Sequence, residues 1–218
     1  MTDNRSGTND FWDVLYTQRA IRYWTEDAIP DDVLLKLIEA GTKAPSGSNS
    51  QPWRFLFIRD AATRKTISDL LSERFEANMG LQTYIRGVAA SEDRSRRLMG
   101  KGAVGVFTNL HQAPVFFVPC LYRGDGVPLG DLNVMSGSSI YGAVQNVLLA
   151  ARALGLGTVM TTMNGLIEPE LREILQIPES AQPVALIPIG YPAANFGPTN
   201  RMPANQVTFW ERWGEDVP

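Results

Sequence analysis

Three stretches of the chain place polar side chains where a hydrophobic core needs none. The first, Arg19-Ala20-Ile21-Arg22, follows a helical segment, and two guanidiniums at that spacing reach one side together. Their forks match phosphate oxygens bidentately, so an anionic group is the natural ligand. The second, Ala44-Pro45-Ser46-Gly47-Ser48-Asn49-Ser50-Gln51-Pro52-Trp53, is rich in small residues that let backbone approach a ligand closely. Asn49 and Gln51 each offer an acceptor and two donors, enough to read the polar edge of a planar ring. The third is Arg201, between Pro198 and Pro203. Taken singly, an arginine pair most often decorates a surface. The loop alone is as compatible with a structural turn entering a strand as with a ligand site.

The elements that must position these residues follow from periodicity. A helix is expected over Asp10 to about Thr17, with Phe11, Val14 and Leu15 on one face. A second, opened by Pro30-Asp31-Asp32, repeats Val33, Leu34, Leu37 and Ile38 at amphipathic spacing and ends near Gly41. Thr42 to Pro52 is a loop by composition. WRFLFIR then reads as a strand, 61–78 as a helix, and PVFFVPCLY (114–122) as a strongly apolar strand. From about Leu132 to Leu154 runs a long helix that is apolar around most of its circumference, with Gly155 as its C-cap. GTVMTTMN is a short strand or turn, EPELREIL a helix and QPVALIPIGYP a final core strand. Residues 1–9 read as a loose polar tail. Residues 79–112 show little periodicity and suit an excursion or lid. Residues 192–218 form an arm whose Phe209, Trp210 and Trp213 need something to bury. Strands separated by helices make an α/β or α+β sheet fold, in one domain spanning 1–218.

Composition removes several function classes. Of 218 residues, 44% are hydrophobic and 20% charged, as in a soluble fold with a real core. A net charge of -3 argues against a nucleic-acid surface, and Arg94, Arg96 and Arg97 read as a solvated face. One cysteine and one histidine leave no disulfide and no metal cluster. Cys120 sits within an apolar strand with no base beside it, so it reads as core filler. His111 and Tyr84 read as exposed or packing residues. No apolar run reaches membrane-helix length and the first ten residues are polar, so the cytoplasm is the expected location. GxGxxG and GxxxxGK[ST] are both missing, so a phosphate must be held another way.

In order, RAIR, APSGSNSQPW, GLGTVMTTMN and GYPAANFGPTNRMP closely resemble the nitroreductase (flavin reductase) family, over roughly residues 10–205. The resemblance implies an α+β sandwich, a mostly antiparallel central sheet flanked by helices, in an intertwined homodimer with FMN at the interface. It implies that Arg19, Ala20 and Arg22 bind the FMN phosphate and ribityl end, with Arg201 closing the same pocket. Pro45, Ser46, Gly47 and Asn49 would come from the other subunit to line the flavin, and Gln51 would lie near its polar edge. Thr161 and Thr162 fall where the family donates to flavin N5, and no side chain is required as a catalyst. The implied activity is ping-pong hydride transfer from NADH or NADPH to nitroaromatic, quinone or similar small-molecule acceptors.

Two departures from the family matter. Its arginine-rich segment often begins with two arginines and has Ser third, whereas here it reads Gln18, Arg19, Ala20. The N5 position carries two threonines in place of a Glu-Gly pair, which leaves one- and two-electron chemistry both open. Other branches of the fold (reductive dehalogenase, flavin-destroying enzyme, dehydrogenase) are the alternative, with a non-catalytic flavin binder behind them. Glu76, Tyr84 and Lys101 do not match the spacing of the deiodinase lid motif.

Overall fold

The computed structural model describes residues 5–124 and 134–215. Among the described residues seven helices surround one sheet: α1 (Phe11–Thr17), α2 (Asp31–Gly41), α3 (Ala61–Ala77), α4 (Met79–Ala89), α5 (Arg94–Asn109), α6 (Val134–Ala153) and α7 (Glu168–Leu175). The strands are β1 (Trp53–Ile58), β2 (Val115–Tyr122), β3 (Gly157–Thr158), β4 (Ala181–Pro183) and β5 (Ile187–Gly190). Their spatial order is β1-β2-β5-β3, with β4 on β2, and every pair is antiparallel. The fold is therefore the expected α+β sandwich.

Strand β2 divides the core. Successive side chains of a strand point to opposite faces. Phe116, Val118 and Cys120 therefore join Ile67, Leu71, Phe75, Phe107 and Leu171 on the α3–α5–α7 side. Val115, Phe117 and Leu121 join Leu34, Leu37, Ile140, Val144 and Val147 on the α2–α6 side. Burying a phenylalanine is worth about 1.5–3 kcal/mol. Phe116 and Phe117 are both fully buried, so a one-residue slip of β2 would exchange two well-filled layers. That fixes the register.

The segment expected as one final strand is two strands joined by a bulge. Cys120 pairs with Pro183, but Phe117 pairs with Ile187, so three residues of one strand oppose two of β2. The bulge frees Leu186 to pair outward with Thr161: its N–H donates at 2.9 Å and its carbonyl accepts at 3.2 Å.

Three expectations change. Residues 79–112, where the sequence shows little periodicity, are largely helical: α4 and α5 form a hairpin capped by Asn78 and Asp93 and packed on α3. Phe75 and Phe107 stack at 4.2 Å between centroids to hold it there. Residues 6–8 are tied down rather than loose, since the Thr8 N–H donates to the Ala153 carbonyl at 2.9 Å. In the arm, Pro192 and Phe196 alone are buried among the described residues. Trp210 and Trp213 find no core in their own chain, and Trp213 is 92% exposed. The long helix is described from Val134; Leu132 and Asn133 lie outside the described residues. Its end is as expected: Gly155 sits at φ 76°, where its missing Cβ allows the left-handed turn that lets the Leu156 N–H reach the Ala151 carbonyl at 2.7 Å.

Candidate functional site

Helix α1 ends at Thr17, and the chain becomes extended at Gln18. Ala20 then bridges to Thr158 in parallel fashion, with the Ile21 N–H donating to the Thr158 carbonyl at 2.8 Å. Ile21 and Trp24 are buried, and the Trp24 indole N–H donates to the Gly157 carbonyl at 3.0 Å. These anchors hold the RAIR backbone against the sheet edge, leaving Arg19 exposed and Arg22 half-buried. The C-terminal segment is clasped to the same place, because the Thr199 N–H donates to the Tyr16 carbonyl at 3.2 Å.

Arg19, Ala20, Arg22 and Arg201, nearly two hundred residues apart in sequence at the extremes, consequently line one cavity of about 650 Å³. Pro198, Thr199 and Asn200 form one wall. Asp93, Arg94, Ser95, Leu98 and Met99 of α5 and its cap form another. Sequence reasoning did not anticipate this second wall; Arg94 is exposed, as its reading as part of a solvated face implies, and it also borders the cavity. In Arg94-Ser95-Arg96-Arg97 nothing but the helix phase tells which arginine faces inward.

Electrostatically the cavity asks for an anion. The Arg22 guanidinium is held below its ordinary value, chiefly by burial and then by the positive charge of Arg19. Its Nε–H is buried with no hydrogen-bond partner among the described residues. A buried charged donor left unmade costs roughly 1–3 kcal/mol, and a bound oxyanion would remove that penalty.

The glycine-serine loop lies apart from this cavity. Ser48, Asn49 and Gln51 adopt left-handed φ of 52°, 52° and 48°. Each costs about 1–2 kcal/mol for a residue with a Cβ, so the loop stores strain of the kind found at ligand sites. It is fixed by the Gly47 N–H donating to Ser139 Oγ of α6 at 3.1 Å, and the Gln51 N–H donating to Ser46 Oγ at 3.0 Å. Pro45, Gly47, Asn49 and Gln51 are exposed and Ser46 is half-buried. Beyond them, Ser50, Gln51 and Pro52 line a second cavity of about 430 Å³ with Arg54, Tyr122 and Ser139. No residue lines both cavities.

Thr161 is buried beside the bulge and Thr162 is exposed. Thr161 Oγ1 accepts from the Met163 N–H at 3.1 Å, which leaves the hydroxyl proton available for donation. Neither threonine lines the arginine cavity. His111 is exposed beside Trp24, Glu26 and Arg64, away from that cavity, and Tyr84 is exposed on α4. Among the described residues no cluster of His, Cys, Asp and Glu has the makings of a metal site. No described helix is long and apolar enough to cross a membrane.

The sequence profile of the Nitroreductase family matches residues 15–191, and the chain belongs to that family of oxidoreductases. A Thermus thermophilus protein described as an NADH dehydrogenase is 30% identical over 196 residues, covering 88% of this chain and 92% of its own length. Among solved structures, the NADPH:FMN oxidoreductase of Vibrio harveyi complexed with NAD+ superposes with a TM-score of 0.70 at 21% identity, over 95% of this chain and 79% of that one. An iodotyrosine deiodinase bound to FMN and 3-iodo-L-tyrosine superposes at 0.69 and 22% identity, over 93% of this chain and 99% of that one. The fold is shared throughout.

Proposed function

We propose that the chain is an FMN-dependent reductase that takes hydride from NADH or NADPH and delivers it to electron-poor small molecules, nitroaromatics and quinones among them. The observation that carries this reading is Arg22, a half-buried cation with an unpartnered Nε–H in a cavity walled by further arginines. A phosphate monoester, with a charge of about −2 and three acceptor oxygens, fits that donor set. FMN, when bound, supplies the atom that accepts and releases hydride. The protein orients it: Arg19, Arg22 and Arg201 grip the phosphate, the Ala20 backbone borders the ribityl chain, and Thr161 and Thr162 offer hydrogen bonds at the ring. No acid–base pair is needed, since solvent can supply protons once acceptor and nicotinamide alternate at one open face.

The second half of the site comes from a second copy of the chain. Pro45, Gly47, Asn49 and Gln51 are exposed and Ser46 is half-buried, Asn49 and Gln51 sit at strained left-handed φ, and none of the five lines the arginine cavity of its own protomer, as residues serving a partner would be. Large apolar side chains left uncovered support the homodimer: Phe11 at 61% exposure, Trp12 at 58%, Met135 at 81% and Trp213 at 92%. Isolated exposed apolar residues are ordinary, but a set of this size marks an interface.

The test is direct. Purified protein is examined for bound flavin by visible absorbance, for mass by sedimentation, and for anaerobic reduction by NADH and NADPH. Steady-state turnover is then measured with nitroaromatic, quinone and halogenated phenol acceptors. A yellow dimer bleached by a nicotinamide and reoxidised by nitro or quinone compounds is expected. A folded, colourless monomer that ignores added FMN sinks the proposal.

A further inference from the structure

We propose that Arg94, carried on α5, is a fourth phosphate-binding residue. It supplies the cation missing where the chain has Gln18 in place of the family's frequent arginine. The inference rests on the FMN reading above and deepens it.

Gln18 caps α1, its N–H donating to the Val14 carbonyl, and brings no charge to the cavity. Across the cavity, however, Arg94 begins α5 and lines the same space as Arg19, Arg22 and Arg201. Of its neighbours in the charged cluster, Asp93 and Arg97 are otherwise committed, and Arg96 does not line the cavity. The Asp93 carboxylate caps the helix by accepting from the Arg96 N–H at 2.7 Å. The Arg97 guanidinium turns back to the Ser91 and Glu92 carbonyls at 2.8 and 2.9 Å. None of the ion pairs among the described residues engages Arg94. It is therefore the member of the cluster that is both directed to the cavity and uncommitted.

The wall that carries Arg94 is rigid enough to place it. Gly100 packs so closely on the Ala89 backbone that a Cβ there would lie 2.3 Å from the Ala89 nitrogen, which locks α5 to α4. The Phe75–Phe107 stack locks it to α3. The amino-terminal turn of a 16-residue helix adds its positive end to the same wall. Arg19 already disfavours the charge on Arg22, so an anion seated among the four guanidiniums would offset their mutual repulsion.

The experiment compares dissociation constants for FMN and for riboflavin, which lacks the phosphate, by fluorescence quenching in Arg94→Gln, Arg94→Lys, Arg19→Gln and Arg96→Gln. Charged hydrogen bonds of this kind predict a roughly tenfold or greater loss of FMN affinity in Arg94→Gln. Riboflavin binding should not change, Arg94→Lys should recover part of the loss, and Arg96→Gln should behave as wild type. If Arg19→Gln weakens FMN and Arg94→Gln does not, this inference is overturned while the function stands. If neither alters the ratio of FMN to riboflavin affinity, the phosphate reading of the cavity falls with it.

Discussion

The Arg152 Nε–H donates to Thr17 Oγ1 at 2.8 Å in the protein interior, across 135 residues of sequence. The same guanidinium, 1% exposed, donates to Asp13 Oδ2 and the Ser6 carbonyl, both at 3.0 Å, and lies 4.2 Å from the Phe196 ring centroid. Thr17 is the last residue of α1 before the RAIR segment, and Phe196 precedes the turn that carries Arg201. One buried cation on α6 therefore fixes both arms of the arginine cavity. It touches nothing in the cavity itself.

Arg152→Lys keeps the charge but cannot make three divergent hydrogen bonds or stack on Phe196. The expected loss of unfolding free energy is about 1–3 kcal/mol, measured by urea titration. Since Arg19 and Arg201 lose their common reference point, FMN affinity should also fall while riboflavin affinity holds. Equal weakening of both flavins would show that Arg152 serves general stability and not the phosphate end.

Much of this arrangement was readable in the sequence, for identifiable reasons. The β2 strand, α2 and α6 announce themselves because their apolar periodicity is strong and uninterrupted, and Gly155 marks its turn by being the residue that tolerates φ 76°. The arginines at 19, 22 and 201 stand out through the ordered set of motifs that resembles the family, since an arginine pair or a lone arginine in a tail is by itself ordinary surface decoration. The α4–α5 hairpin was hidden because glycines at 80, 87, 100, 102 and 105 break up its amphipathic pattern. Gly100, Gly102 and Gly105 are where α5 approaches its neighbours closely, so that helix hides its periodicity for the reason that it packs. Arg152 was invisible for a different reason: its partners are brought to it only by the tertiary fold.

Ionic strength offers a second check on the cavity. Arg22 is half-buried and desolvated, whereas Arg19 and Arg201 are exposed. Salt screens exposed charges strongly and buried ones weakly. FMN affinity should therefore decline with added salt in wild type, and the decline should be shallower in Arg201→Gln. Arg22→Gln should lower affinity at all salt concentrations, by about tenfold or more, with little change of slope. Flavin fluorescence titrations from low to high potassium chloride separate the two behaviours.

Cys120 is fully buried, and desolvation pushes its thiol up to about 12, against a smaller opposing effect of the Arg172 charge. Below the ordinary thiol value of 9.0 the native and unfolded chains are both protonated there, and the group adds no pH dependence. Above it the unfolded chain ionises first, so stability falls as pH rises toward the native value. Between pH 8 and pH 10 this contributes a loss of about 1.4 kcal/mol. Urea titrations at the two pH values should show a smaller loss in Cys120→Ala by that amount. An identical loss in both proteins would place the thiol in water, as would stoichiometric reaction of the native protein with Ellman's reagent.

Gly102 of α5 faces Arg22. A Cβ built there would lie 3.0 Å from Arg22 Cδ and Nη1 and 3.1 Å from Cζ, closer than such atoms normally approach. The obstructed atoms belong to the far end of a flexible side chain, so Gly102→Ala can be accommodated by moving the guanidinium rather than the backbone. Alanine also favours the helix by about 0.5–1 kcal/mol over glycine. Thermal stability should therefore hold or rise, while FMN affinity falls with riboflavin affinity preserved. This opposite movement of stability and phosphate binding separates a displaced ligand group from a damaged fold. Unchanged FMN binding in a stable Gly102→Ala protein would mean that the position of Arg22 is immaterial to the ligand, and the anionic reading of the cavity would lose its main support.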